Sequence, residues 1–111
     1  MKADLLFKRR VALTDSIFVE LVLWQLPQPL PGSRHSYKYR LALVARSLCV
    51  LRYDNERGKG DHMHEGHQER LYTFTGIDAL LADFRHDVER WLHENRDAES
   101  SDTGNGPGRL W

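Results

Sequence analysis

The sequence predicts an α+β domain: an antiparallel meander of about five strands with one C-terminal amphipathic helix packed on one face. Three observations predict it. Runs in the first two thirds of the chain alternate in polarity or are rich in β-branched and aromatic residues, as strands are. One later run spaces its apolar residues as a helix does. Clusters of Pro, Gly, Asp and Asn separate these runs. With 111 residues, one domain is expected over 1–94, followed by a tail over 95–111.

The first strand is expected between Ala3 and Leu13, with Leu5, Phe7 and Val11 on one face and Asp4, Lys8 and Arg10 on the other. Thr14-Asp15-Ser16 makes a polar turn, and Ile17 to Leu26, apolar on both faces, reads as a central strand. Pro27, Pro29 and Pro31-Gly32 cannot pair in a ladder, because proline has no N–H to donate, so they mark an extended connection. Tyr37 to Arg46 alternates and forms the third strand; Leu48 to Tyr53 forms the fourth after a tight turn at Arg46-Ser47. Asn55 to Gln68, whose only apolar residue is Met63, is expected to be a loop, and Glu69 to Phe74 the fifth strand.

Thr75 is the expected N-cap of the helix, with Asp78 completing a capping-box-like pattern. Ile77, Leu80, Leu81, Phe84, Val88, Trp91 and Leu92 then form one apolar stripe. Beyond Asn95 the composition is too polar to bury surface, and disorder is expected.

Charge and cysteine usage narrow the class. Lys and Arg equal Asp and Glu at 16 each, yet residues 1–46 hold eight basic against three acidic side chains, and 71–111 hold four against eight. A basic half in a neutral protein can still attract phosphate. The single cysteine, Cys49, permits no intrachain disulfide and fits the cytoplasm; its apolar neighbours suggest a buried thiol. Charges interrupt the N-terminus too often for a signal peptide, and no apolar run approaches the ~20 residues of a membrane helix.

The segment from Arg52 to His67, Arg-Tyr-Asp-Asn-Glu-Arg-Gly-Lys-Gly-Asp-His-Met-His-Glu-Gly-His, concentrates the chemistry. Three readings compete. In the first, Gly58-Lys59-Gly60 approaches a phosphate, Arg52 and Arg57 add charge, Asp54 and Asn55 order the loop, and His62 and His64 act as acid and base on RNA. In the second, His62, His64 and His67 with Asp61 or Glu65 hold a metal; no Cys pair or HExxH pattern supports it. In the third, the segment is a solvated turn. The first is favoured, without cofactor or metal. Its catalytic candidates are His62, His64 and Asp61, and its binding candidates are Arg52, Asp54, Asn55, Gly58, Lys59 and Gly60.

Lys2-Ala-Asp-Leu-Leu-Phe-Lys-Arg-Arg10, Pro31-Gly-Ser-Arg-His-Ser-Tyr-Lys-Tyr-Arg40 and Tyr53-Asp-Asn-Glu-Arg-Gly-Lys-Gly-Asp-His-Met-His64 resemble the TumE family, over residues 2 to about 92. The resemblance implies the toxin component of a bacterial type II toxin–antitoxin module, cytoplasmic and neutralised by a cognate antitoxin with a helix-turn-helix domain. Matching positions are Asp54, Asn55, Gly58, Lys59, Gly60, Asp61, His62 and His64. A metal-independent ribonuclease using histidine acid–base chemistry follows from the loop chemistry and from analogy with other small toxins. The alternative is a non-catalytic module that binds nucleic acid or protein through the same loop. Whether the chain forms a homodimer is left open.

Overall fold

In the computed structural model, which describes residues 2–95, the elements run β1 (Asp4–Ala12), β2 (Ile17–Gln25), β3 (Tyr37–Ala45), β4 (Leu48–Glu56), β5 (Gly60–Glu65), β6 (Gln68–Leu71) and α1 (Ile77–Glu94). The six strands form one sheet in sequence order, each antiparallel to the next. The α+β class, the antiparallel meander and the C-terminal helix are therefore as the sequence predicts. The expected tail lies, from residue 96 onward, outside the described residues.

Period-two patterning builds the sheet. Ile17, Val19, Leu21 and Leu23 of β2 are buried, as are Tyr39, Leu41, Leu43 and Ala45 of β3 and Leu51 and Tyr53 of β4. Strand pairing sets these side chains on one face, because residues directly opposite in a ladder point the same way. Each hairpin has its own closure. Leu13 N–H donates to the Ile17 carbonyl at 2.8 Å, and Leu26 N–H to the Ser36 carbonyl at 2.7 Å, which ties off the proline-rich connection. Arg46 and Ser47 both have positive φ, 51° and 71°, the pattern of a type I′ turn that matches the twist of the strands it joins.

The expected loop over Asn55 to Gln68 is instead a hairpin, with β5 paired along both edges. Its composition misleads because Met63 is the one apolar side chain that β5 sends to the buried side, opposite Tyr53, while His62 and His64 face the other. A second difference is Cys49, which is exposed. The register slips between Leu43 and Val44, so Cys49 pairs with Val44 while Leu51 pairs with Leu43. That bulge places Cys49 off the apolar face, near the sheet end where Leu48 is also exposed.

The chain divides into two compact units, Met1–Phe74, which holds the sheet, and Thr75–Trp111, which holds α1. Leu80, Phe84 and Val88 are the buried positions of α1, one turn apart. Its N-cap is Gly76 rather than Thr75, and no side chain caps it; Asp78 in the first turn complements the dipole. No helix among the described residues is long and apolar enough to cross a membrane.

Candidate functional site

The face of the sheet opposite the apolar one carries two adjacent cross-strand rows. In the first, Arg10 pairs with Glu20, Glu20 with Ala42, Ala42 with Arg52, Arg52 with His64 and His64 with Glu69. In the second, Lys8, Val22, Arg40, Asp54, His62 and Leu71 follow one another in the same way. Six strands at about 4.8 Å spacing make these rows roughly 24 Å long. Glu20 lies 3.9 Å from Arg10 and 4.0 Å from Arg40, so the basic residues of β1 and β3 are spaced along the face rather than clustered.

At the β4–β6 end the rows converge on a cluster. His62 is 1% exposed. Its Nδ1 donates to the Gly60 carbonyl at 3.1 Å, so in the neutral ring the lone pair is on Nε2. That Nε2 lies 2.9 Å from Asp54 Oδ1, and 3.5 and 3.6 Å from Glu56 and Glu69 oxygens. Asp54 Oδ2 lies 3.1 Å from Arg52 Nε. His64 meets His62 edge-on with ring centroids 5.0 Å apart, and its Nε2 lies 3.6 Å from Glu69. Proximity here is not hydrogen bonding. Arg52 Nε, Asp54 Oδ1, His62 Nε2 and His64 Nε2 are buried atoms without a hydrogen-bond partner among the described residues. Burial first, and then the Arg52 guanidinium, hold the His64 imidazole below its usual pKa, so it stays neutral at pH 7.

Lys59 reaches this cluster from the turn, 2.9 Å from Glu69. The hydrogen bond between them raises the Lys59 pKa and lowers that of Glu69. An open cleft of about 290 Å³ lies beside them, lined by Lys59, His62, Glu69, Arg70 and Leu71.

Strand alternation separates the other candidates from this cluster. Asp61 faces the apolar side with Tyr39 and Met63, so it does not join His62 and His64. Both its oxygens, at 3.0 and 2.8 Å, face Nε2 of His35. The Tyr37 N–H donates to His35 Nδ1, which puts the His35 proton on Nε2, pointing at Asp61. Phe74 stacks on the His35 ring at 3.8 Å. His35 was not among the sequence candidates; its only signal is that it extends the alternation of Tyr37 and Tyr39 by one step.

Asn55 is fully buried and is not free to bind a ligand. Its Oδ1 accepts the Tyr39 N–H at 3.0 Å and its Nδ2 donates to the Tyr37 carbonyl at 2.7 Å. The side-chain amide thus continues the β3–β4 ladder beyond its last backbone pair, Arg40 with Asp54. Gly58 and Gly60 likewise have structural work. Gly58 N–H donates to the Pro31 carbonyl at 2.7 Å, and a Cβ on Gly60 would sit 3.0 Å from the Gly32 oxygen. Both have φ near +80°, at 83° and 77°. Positive φ calls for glycine at both positions, and close packing against the proline-rich connection adds a second reason at Gly60.

A family model described as toxin TumE matches residues 2–92. The chain belongs to the TumE toxin family. No curated protein and no solved structure matches it. In this TumE chain, the family match spans the whole sheet, the β4–β6 cluster and most of α1. Membership carries a toxin role and, with it, an antitoxin as the general class of partner.

Proposed function

We propose that this TumE toxin acts in the bacterial cytoplasm by cleaving RNA phosphodiester bonds at the His62–His64 cluster, and that a helix-turn-helix antitoxin neutralises it. The observation that carries the reading is His64: a neutral imidazole, 24% exposed, at the end of a face that holds Lys8, Arg10, Arg40 and Arg52. A strand of RNA laid along those cations brings a phosphodiester to the site. The partly exposed His64 ring then stands beside the 2′-hydroxyl as its candidate base. Arg52 and Lys59 can offset charge that develops on the phosphate. His62, buried and oriented by Gly60, positions this group rather than meeting substrate.

The test is induction of His64→Ala beside wild type, with growth and total RNA integrity as readouts and antitoxin co-purification as the control for folding. The expected result is loss of growth inhibition and of RNA decay with antitoxin capture retained. Full toxicity of the variant refutes the reading. Purified wild type that shifts RNA in a salt-dependent way and never cuts it assigns the chain to non-catalytic binding instead.

A further inference from the structure

His62 Nδ1 donates to the Gly60 carbonyl, so in the neutral ring the atom that faces Asp54 is a lone pair. Two lone-pair atoms, His62 Nε2 and Asp54 Oδ1, therefore meet at 2.9 Å inside the protein, neither with a hydrogen bond. His64 Nε2 is a third buried atom without a hydrogen bond, and the three ligand atoms all lie within 4.8 Å of one another. A positive centre between the three satisfies all of them at once. Metal–ligand bonds of about 2.0–2.1 Å separate neighbouring ligand atoms by roughly 3.0–3.5 Å; the His62–Asp54 pair at 2.9 Å is close to that, and the whole set lies within 4.8 Å.

We propose that Asp54 Oδ1, His62 Nε2 and His64 Nε2 bind a divalent first-row transition-metal ion. Two imidazoles and one carboxylate are a borderline donor set, suited to zinc and its neighbours rather than to magnesium or calcium. The surroundings fit that assignment. A backbone carbonyl that fixes the imidazole through its other nitrogen is the usual support of a histidine ligand. Arg52 takes the second oxygen of Asp54, which turns the first toward the site. Glu69, 3.6 Å from both imidazole nitrogens, closes another side, and the cleft beside His62 and Glu69 supplies a way in.

The ion also resolves a charge problem in the RNA reading. Asp54, Glu56 and Glu69 exceed Arg52 and Lys59 by one negative charge, three against two, which repels a phosphate. A divalent ion reverses the sign and can hold and acidify a water. Ligation takes up the His64 lone pair, so the base becomes the ion-bound water rather than the imidazole. The binding site itself stands on the geometry, and only its use in cleavage rests on the proposed function.

The experiment is calorimetric titration of the EDTA-stripped full chain with Zn²⁺ alone, repeated with His64→Ala, Asp54→Asn and the surface control His67→Ala, each checked for fold by circular dichroism. One equivalent is expected to bind saturably. Affinity should fall by at least about tenfold in His64→Ala and Asp54→Asn, since even outer-shell partners cost that much, and stay unchanged in His67→Ala. Absence of a saturable site in wild type, or equal affinity in His64→Ala, overturns the proposal. His64 is partly exposed, so that variant decides the outcome even where Asp54→Asn unfolds. RNA cleavage that persists in EDTA by a chain that binds no Zn²⁺ refutes the ion alone. Zn²⁺ binding by a chain that never cleaves RNA refutes the ribonuclease reading alone.

Discussion

Replacing Asn55 tests whether the Tyr53-Asp54-Asn55 run is a ligand-binding motif or a structural one. Asn55→Ala removes two buried hydrogen bonds, to Tyr39 N–H at 3.0 Å and Tyr37 carbonyl at 2.7 Å, and leaves both backbone groups without a partner. A buried polar group so abandoned costs about 1–3 kcal/mol. Two of them, the Tyr37 end only half-buried, predict a loss of roughly 2–4 kcal/mol out of a total near 5–15. In urea the unfolding midpoint should drop by about 1–2 M with little change in slope. Asn55→Asp refines the test. Its carboxylate still accepts from Tyr39 but presents an oxygen to the Tyr37 carbonyl, so at pH 7 it should be no more stable than the alanine variant. That contact and burial raise the new carboxyl's folded pKa above its unfolded value near 3.9, so the folded state holds the extra proton. The variant's stability should therefore be greatest below about pH 4 and decline as pH rises through the folded pKa. A wild-type midpoint for Asn55→Ala, together with lost toxicity, would refute the structural account and return Asn55 to the binding site.

Three further outcomes follow from the geometry. Gly60→Ala should destabilise more than Gly58→Ala in the same urea assay: both need positive φ, at about 1 kcal/mol or more, but only the Gly60 Cβ meets backbone, at 3.0 Å. Burial first, and then the Asp61 charge, raise the Tyr39 pKa far above its ordinary 10.0, so stability present below pH 10 should be lost as pH rises further; Tyr39→Phe should flatten that loss in a pH series of melting temperatures. The Tyr39 hydroxyl has no well-formed hydrogen bond, so near pH 7 its removal should cost less than about 1 kcal/mol. His64, whose pKa lies below 6.5 in the folded chain, should destabilise the protein as pH falls from about 6.5 through that lower value, because the unfolded chain binds the proton first; the melting temperature of His64→Gln should lack that decline.

β2, β3 and α1 were legible in the residues themselves. A run such as Ile17-Phe-Val-Glu-Leu-Val-Leu-Trp-Gln25 favours a strand before any neighbour arrives, and the stripe through Leu80, Phe84 and Val88 does the same for a helix. Proline and glycine placed the breaks. The residues of the candidate cluster were legible too, because Asp54, Lys59, His62 and His64 sit within one short polar segment.

Local composition could not reveal β5, whose strand conformation comes from pairing with β4 and β6 and not from its own side chains. Once that strand exists, alternation divides what sequence proximity had grouped. Asp61 turns toward His35, which lies 26 positions away in the chain, while His62 and His64 turn toward Asp54 and Glu69. The chain alone determined its α+β class, most of its elements and the segment that holds most of the candidate cluster, because periodicity and chemical type are local properties. Only the tertiary structure decided which face each residue takes and that three buried ligand atoms without hydrogen bonds meet. Both depend on the register between strands, which long-range pairing sets.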